Sequence, residues 1–525
     1  MMKSIMKYCL VLVVISMLTN SCTKKFEGLN TDPTAAGPDV FNPNFLLTTS
    51  QIRYTGSEDF SYETWRAQLI HFSTMIQHFS HVAGYWAGDK YTQNNDYNAA
   101  YFERAYAEQV KFVSDLVELT RGKAQYANLH QIARIMKVLI FHRITDIYGD
   151  VPYFEAGQGY YTRNFTPMYD RQQDIYPHML KELDEAATAL DPAKDVATGD
   201  MIYNGSVVKW KRFAYSLMLR LGMRLTKIDA NLAKTWVEKA AAGGPMTSNA
   251  DNAFIKHSEA GGRPTVNRIS QVLNLPYEIP NIRWSKTMID FLQVNNDPRL
   301  GVLAELPPPP PNDNTLGAAG NSTPAAQKGM PNGYDVQGGP KDINTAPGYP
   351  GSLNGYSRPI NRFYAKMDGI TMLLTYGEVE LMLAEAKERG WNIAGTAASH
   401  YEAGVRAAMK SLEQWDAGAA VSDAAITAYL VARPYVPATG LQQINTQYWV
   451  ATVFNDYESF ANWRRSGFPV LTPVNYPGNV TGGTIPRRLI YPQSEASVNG
   501  ANYTDAIGRL TGGDKMTSRV WWDKP

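Results

Sequence analysis

TYGEVELMLAEAKERG (375–390) and the following HYEAGVRAAMK (400–410) are the two segments that decide the fold of this chain. In both, small and apolar residues recur at three- and four-residue steps, as they do in helices with one buried face. Gly404, Ala407 and Ala408 have side chains small enough to let two antiparallel helices approach closely. Such packing is typical of tetratricopeptide-like hairpins, and a generic helical bundle is the alternative.

The same periodicity continues through most of the chain, whereas strand-like runs are few and short. It predicts helices at about 67–79, 100–121, 125–148, 171–190, 207–227, 231–242, 371–389, 396–415 and 447–465. The segment 233–244 resembles the second helix of another hairpin. The predicted fold class is therefore mostly α, with tetratricopeptide-like helix pairs forming a superhelical scaffold that carries long, ligand-facing loops.

A long irregular segment at 306–361 interrupts the helices. It opens with five prolines (307–311) and continues with scattered Gly, Asn and Tyr. Loops of this length are uncommon in compact proteins and are usually functional or disordered. The interspersed tyrosines favour an ordered excursion that faces a ligand. A second irregular stretch is predicted at 467–512.

The N-terminus has the pattern of an export signal. Lys3 and Lys7 precede an apolar run at 8–18, and Ser21 and Cys22 follow it. An apolar run of about eleven residues is too short to span a bilayer, so the segment is predicted to be cleaved. The position of Cys22 predicts a lipoprotein signal with a lipidated cysteine as the first mature residue. An ordinary secretory signal is the alternative.

The predicted organisation is a signal peptide at 1–21, a lipid-anchored tether at 22–45 and a single helical domain at 46–525.

The amino-acid composition excludes several classes of function. The chain has 50 Lys and Arg against 49 Asp and Glu, so no basic surplus points to nucleic acid. Its two cysteines, Cys9 and Cys22, fall in the signal and at the lipid site. This excludes a disulfide framework and a cysteine-bound zinc site.

No segment carries a recognisable catalytic motif. His71, His78 and His81 are spaced for one face of a helix, but no carboxylate accompanies them, so structural histidines are expected. We expect no cofactor and no metal site; a structural Ca²⁺ in the Asp- and Asn-rich loops lacks any supporting EF-hand spacing.

Four glutamates occupy the predicted helix at 371–389. Glu378, Glu380, Glu385 and Glu388 are expected to form a solvated face or helix-surface ion pairs. A glycosidase would need two carboxylates facing each other across a cleft, and no acid–base motif surrounds these residues.

Aromatic residues in turn-like surroundings are the candidate ligand contacts. The ligand-binding residues predicted on this basis are Tyr85, Trp86, Tyr91, Trp284, Tyr334, Tyr349 and Tyr356. Flat rings stack on the apolar faces of sugars while neighbouring polar groups bond the hydroxyls. The alternative is that several of these rings anchor their own loops.

Short motifs in a fixed order support a family resemblance. Beside Cys22, they are FEGLNTDP (26–33), DIYGDVPY (146–153), WKRFA (210–214), NDPRL (296–300), YGEVE (376–380) and PRRLIYP (486–492). Together they resemble the SusD/RagB family of nutrient-binding outer-membrane lipoproteins of Bacteroidetes. The resemblance covers nearly the whole mature chain.

The resemblance implies a cell-surface protein that binds and does not catalyse. Its members cap a SusC-like TonB-dependent transporter and deliver oligosaccharides or, in some cases, peptides. The tetratricopeptide-like face is implied to contact the transporter barrel, and the opposite loops to hold the ligand. The residues after Cys22 lack the acidic cluster associated with surface export, so the side of the membrane stays open.

Two other functions remain as alternatives. A lipid-anchored glycan hydrolase would have a carboxylate pair in a cleft near Trp86 or Trp284. A helical-repeat scaffold that binds only proteins would have no small-ligand site at all.

Overall fold

The structure, a computed structural model, describes residues 41–315 and 317–525. Its α-helices are α1 (Asn44–Tyr54), α2 (Asn95–Arg104), α3 (Lys111–Thr120), α4 (Ala127–Tyr148), α5 (Gly159–Thr162), α6 (Gln172–Ala189), α7 (Val207–Arg224), α8 (Ala230–Gly243), α9 (Arg268–Leu273), α10 (Lys286–Val294), α11 (Leu300–Leu303), α12 (Asn361–Tyr364), α13 (Tyr376–Glu388), α14 (Ala397–Lys410), α15 (Asp423–Ala432), α16 (Gly440–Ala451), α17 (Asp456–Ser466), α18 (Glu495–Val498) and α19 (Gly500–Arg509). Two π-helices run over Glu63–Ser73 and Ala105–Val110.

Strands are few and pair only in twos. They are β1 (Phe79–His81), β2 (Ala253–Lys256), β3 (Ile282–Trp284), β4 (Ala304–Glu305), β5 (Arg358–Pro359) and β6 (Ile370–Leu374). The antiparallel pairs are β1 with β3, β2 with β6 and β4 with β5. The fold is therefore mostly α, as the sequence predicts.

The helix pair predicted from 375–410 is confirmed. A Cβ at Gly377 would lie 3.0 Å from the Ala408 nitrogen, and one at Gly404 would lie 3.0 Å from the Leu381 nitrogen. Gly377 thus meets Ala408, whereas Leu381, one turn later in α13, meets Gly404, one turn earlier in α14. The helices α13 and α14 therefore run antiparallel. The helices touch where the side chains are smallest, which is the tetratricopeptide-like arrangement.

Further helices pack in chain order to build the scaffold. Helix α4 packs on α3 and α6, α6 packs on α7, and α7 packs on α8. Gly222 of α7 meets Val237 of α8, and Gly243 meets Tyr215, so this pair is also antiparallel. Helix α17 packs on the π-helix Glu63–Ser73, so a late helix contacts one of the earlier described segments.

Several predicted element boundaries are wrong. Residues 370–374 form strand β6, because the apolar run pairs with β2 and Thr375 then caps α13 with a capping box. The helix predicted at 447–465 is two helices, separated where Phe454 adopts a φ of 66°. The predicted helix at 67–79 is π-helical to Ser73 and ends in β1. The irregular stretch 467–512 contains α18 and α19.

The N-terminal predictions mostly lie outside the described residues. The signal peptide, Cys22 and the tether as far as residue 40 are among them. Helix α1 begins at Asn44, so the last two residues of the predicted tether are helical. In the described ranges, no helix combines the length and the apolar composition that crossing a bilayer requires.

The long segment 306–361 forms a small hydrophobic cluster with Val82. The buried members of the cluster are Val82, Met330, Ile343, Ala346 and Tyr356, and Tyr334, Tyr349 and Leu353 pack against them. Because Val82 directly follows β1, this cluster fixes the segment beside the turn that carries Tyr85.

Glu378, Glu380 and Glu385 of α13 are buried, so the prediction of a solvated face is wrong for these three. Glu388 is partly exposed, and one ion pair of the predicted kind joins Glu385 to Arg389 within the helix. Glu378 accepts from the Arg220 guanidinium at 2.6 Å, and Glu385 bonds Arg465 at 2.6 Å. Glu458 of α17 in turn contacts Arg220 at 3.4 Å. The reason is that α13 is covered on nearly all sides, so Glu378 and Glu385 need guanidinium partners to offset the loss of water around their charges.

Candidate ligand-binding site

Four aromatic rings form a surface near one end of the β1–β3 pair, here called the aromatic platform. Its members are Phe60, Trp65, Tyr85 and Tyr277. The Trp65 ring lies 6.0 Å from Tyr85 and 6.0 Å from Tyr277 between ring centroids, and 6.4 Å from Phe60. Tyr85 is 38% exposed and Tyr277 is 49% exposed. Clustered rings that reach solvent suit a flat ligand with apolar faces.

A buried carboxylate, Glu278, lies directly beneath the platform. Its Oε1 accepts from the Tyr85 hydroxyl at 2.7 Å and from the Trp65 indole nitrogen at 3.0 Å. The Trp86 indole nitrogen lies at 3.4 Å from the same oxygen, and His81 Nε2 donates to Oε2 at 2.7 Å. One carboxylate thus fixes the orientation of one exposed ring, one partly buried ring and two buried ones.

Strand pairing brings these residues together from distant parts of the chain. His81 ends β1 and pairs with Ile282 of β3, and Glu278 lies in the turn that leads into β3. Tyr85 and Trp86 follow β1 in a turn closed by the Trp86 amide and the Ala83 carbonyl. The pairing therefore places the turn after β1 beside the turn before β3.

His81 is neutral in this arrangement. The amide of Ala83 donates to His81 Nδ1 at 3.0 Å, so the ring proton resides on Nε2 and points at Glu278. Burial lowers the pKa of His81, and the bond to Glu278 opposes that shift without overcoming it. The His81 ring stacks on Trp86 at 4.1 Å and 4°. Burial and the Glu278 charge also raise the pKa of the Tyr85 hydroxyl, which keeps it a donor.

The structure separates the predicted ligand residues by exposure. Tyr85 is on the platform, and Trp86 lies buried beneath it. Tyr91 is buried, where its hydroxyl accepts from the Val474 amide at 3.2 Å. Trp284 is buried, stacked on Phe79 at 4.5 Å, and donates to the Leu303 carbonyl. Trp86, Tyr91 and Trp284 therefore have no ring face open to a ligand in this structure.

The three predicted tyrosines of the 306–361 segment hold that segment together. Tyr356 is buried, and Tyr334 and Tyr349 are half-buried against the same small cluster. These contacts correspond to the alternative in which aromatic residues anchor their own loop. The segment nevertheless borders the platform, because Gln337 lies against Gly84 beside Tyr85.

The sequence does not identify Phe60, Trp65, Tyr277 or Glu278 as site residues. Phe60 and Trp65 precede the helix predicted at 67–79, and neither has the flanking glycines that mark Tyr85 as a turn residue. Tyr277 and Glu278 follow a proline in LPYEIP (275–280), and this proline is a turn signal that could have marked Tyr277 as a candidate.

The three spaced histidines contact three different parts of the fold. His71 Nδ1 lies 2.6 Å from the Arg66 carbonyl, and His78 bonds Asp456 at 2.8 Å and the Trp449 carbonyl at 3.0 Å. His81 bonds Glu278. Among the residues that the structure describes, no group of three or more His, Cys, Asp or Glu could hold a metal ion.

Comparison with known proteins gives consistent matches to one family. The SusD-like family model described as "Starch-binding associating with outer membrane" matches residues 39–492. A solved chitin-binding protein is 34% identical, with a TM-score of 0.80 over 92% of this chain and 100% of that one. A SusD-like protein of Bacteroidetes AC2a is 26% identical, with a TM-score of 0.78 over 92% and 100%.

More distant structures support the fold alone. A chitin-binding SusD homologue from Flavobacterium johnsoniae is 24% identical, with a TM-score of 0.74 over 92% of this chain and 98% of that one. A comparison with curated proteins gives no match.

Proposed function

Because this chain belongs to the SusD-like family of starch-binding proteins that associate with the outer membrane, we propose that it captures an oligosaccharide on the aromatic platform and delivers it for uptake. The observation that carries the proposal is the cluster of the partly buried Trp65 with the exposed Tyr85 and Tyr277, in which the buried Glu278 bonds Trp65 and Tyr85. Pyranose rings have apolar faces that stack on such rings.

The partner and the location complete the proposal. A SusC-like TonB-dependent transporter would receive the ligand and supply the energy for uptake. A lipid on Cys22 would hold the protein at the outer membrane, with the platform on the outer side. Weak stacking contacts suit this task, since the ligand must be released to the transporter.

The state of Glu278 supports binding over hydrolysis. SusD-like relatives are binding proteins. A general acid or base needs a carboxyl oxygen free to exchange a proton with substrate. Glu278, the carboxylate in contact with Trp86, already accepts bonds from four side chains.

Calorimetry and affinity electrophoresis of the mature chain from Thr23 would test the proposal. The first probes are chitin and starch fragments, because the family description names starch and a 34%-identical relative is a chitin-binding protein. Peptides complete the panel, and product analysis runs on the same samples. We expect saturable binding of an oligosaccharide without cleavage.

Tyr85→Ala should raise the Kd for that oligosaccharide roughly fivefold, since one lost ring stack is worth about 1 kcal/mol. Tyr160→Ala is the matched control, because Tyr160 is 86% exposed and lies outside the platform. Equal affinity of wild type and Tyr85→Ala would contradict the site.

Other outcomes would favour the two alternatives. Cleavage products in any sample would point to a glycan hydrolase. Failure of every saccharide and peptide to bind would point to a scaffold that recognises only proteins.

A further inference from the structure

An open cavity of about 620 Å³ lies far along the chain from the platform residues. It forms where the start of α6, the end of α19 and the C-terminal residues 510–525 meet. Its size is within the range of small-molecule sites. No platform residue lines it.

Positive charge exceeds negative charge around this cavity. The cations Arg171, Arg509, Arg519 and Lys524 line it, against the carboxylates Asp150 and Asp523.

The two carboxylates are already paired. Asp150 bonds Arg509 at 2.6 Å. Asp523 bonds Arg519 at 2.7 Å and also accepts from Arg487. In the described parts of the chain, the side chains of Arg171 and Lys524 have no hydrogen-bond or ion-pair partner. These two cations are therefore available to an anion.

Lys227 extends the positive region. Its ammonium donates to the Lys524 carbonyl at 3.1 Å. Burial lowers the pKa of Lys227; Asp523 opposes this, and Arg487 and Arg519 lower the pKa further. A negative group entering the cavity would relieve this repulsion.

Uncharged groups in the cavity suit a sugar. Trp521 is half-buried and lines the cavity, and its indole nitrogen has no partner among the described residues. The side chains of Gln173, Thr511 and Thr517 line it too and are likewise unbonded within residues 41–315 and 317–525. An indole with nearby hydroxyl and amide groups can stack on a sugar ring and bond its hydroxyls.

We propose that this cavity binds a saccharide that carries a carboxylate or phosphate group. Arg171 and Lys524 would pair with the anionic group, and Trp521 would contact the ring. This site goes beyond the proposed capture of an oligosaccharide on the platform, and it does not depend on it, because the two sets of residues are separate.

Titration calorimetry of the mature chain at pH 7 and low salt tests the site. The probes are a disaccharide of glucuronic acid and N-acetylglucosamine, its neutral counterpart chitobiose, and inorganic phosphate. We expect the acidic disaccharide to bind at least tenfold more tightly than phosphate, with an affinity that falls as salt is raised. Any binding of chitobiose should be weakened by Tyr85→Ala, because a neutral sugar is expected on the platform.

The double variant Arg171→Gln, Lys524→Gln should weaken binding of the acidic disaccharide at least tenfold. Lys123→Gln is the matched control, since Lys123 is exposed and lies outside the cavity. Thermal unfolding of each variant checks that the fold is intact. Tyr85→Ala should leave this binding unchanged, which separates the cavity from the platform.

Five results would overturn the proposal. Four of them are no binding of the acidic disaccharide at millimolar concentration, equal binding of chitobiose that Tyr85→Ala does not weaken, unchanged affinity for the acidic disaccharide in the double variant, and loss of that affinity in Tyr85→Ala. The fifth is binding of phosphate as tight as that of the disaccharide, which would show that the cavity binds simple anions and not a saccharide.

Discussion

The buried carboxylate of Glu278 accepts hydrogen bonds from four side chains. Tyr85, Trp65, Trp86 and His81 all direct an N–H or O–H group to it. Bonds to a charged acceptor are stronger than neutral ones, and each donor would be unpaired without it. The geometry of the platform therefore depends on a residue that the ligand need not touch.

Glu278→Gln should lower the free energy of unfolding by about 1–3 kcal/mol. The substitution keeps the shape but replaces one acceptor oxygen with an NH₂ group, which faces donors on either side. Urea unfolding at pH 7 measures the change. Glu259→Gln, on an exposed residue, is the control and should change stability by less than about 0.5 kcal/mol. An equally small change for Glu278→Gln would refute this role.

For single residues, the sequence predicts that Tyr85 lies in a turn, but it does not predict the contacts that orient its ring. Glycines on both sides mark Tyr85 as a turn residue, and the turn does expose it. The same pattern marks Trp86, which is buried, because the turn directs adjacent side chains to opposite sides. Exposure depends on partners such as Glu278, which lies almost 200 residues away and leaves no local signal.

Among the elements, the contact between α13 and α14 is the most sensitive to side-chain size. Gly404 brings the two backbones close enough that a Cβ would lie 2.8 Å from Leu381 Cγ and 3.0 Å from its nitrogen. Backbone atoms cannot rotate away as a flexible side chain can. The helices would have to separate to admit even one methyl group.

Gly404→Ala should therefore cost about 1–3 kcal/mol in the free energy of unfolding. Gly508→Ala is the same change in helix α19, where nothing lies within 4 Å of the new Cβ. It should stabilise the protein by up to about 1 kcal/mol, because Ala restricts the unfolded chain. Chemical unfolding compares the two, and equal effects would contradict the close contact.

The elements themselves are mostly readable from the sequence. Long periodic segments such as 125–148 and 171–190 form helices close to the predicted bounds. The helix predicted for 371–374 is wrong because these apolar residues fit a strand as well as a helix. Pairing with strand β2, which is distant in sequence, makes the run a strand. The small-residue contact of α13 with α14 is predictable because the side chains themselves set the distance.

In the whole molecule, buried ionisable groups set the response to pH. Burial lowers the pKa of His71 to about 4, of His142 to about 3 and of His257 to about 4. Burial alone would raise the pKa of Glu385 and Glu458, but their arginine partners lower both to about 2. All five groups favour the folded state less as the solution becomes acidic.

The free energy of unfolding should fall as pH is lowered from about 6.5 to about 3. The histidines contribute fully above their unfolded pKa of 6.5 and lose this contribution as pH falls through their folded values. Glu385 and Glu458 contribute fully above their unfolded pKa of 4.5 and lose this contribution as pH falls to their folded pKa of about 2. Glu63, whose pKa burial raises to about 7, acts in the opposite direction, and its contribution is lost as pH rises from 4.5 through 7.

Urea midpoints at pH 7, 5.5 and 4 would measure this dependence. The urea midpoint of the His257→Gln variant should decline less steeply as pH is lowered, because an amide cannot take up the proton that His257 binds. A midpoint at pH 4 equal to or above that at pH 7 would contradict the assignment.

The contact of segment 63–78 with the start of helix α17 also determines when the chain can fold. Gln68 bonds the Phe454 carbonyl, His78 bonds Asp456, and both partners lie more than 370 residues later in the chain. Closing loops of this length before any contact forms makes folding slow. Gln68 and His78 therefore acquire these native neighbours only after the chain has been synthesised as far as helix α17.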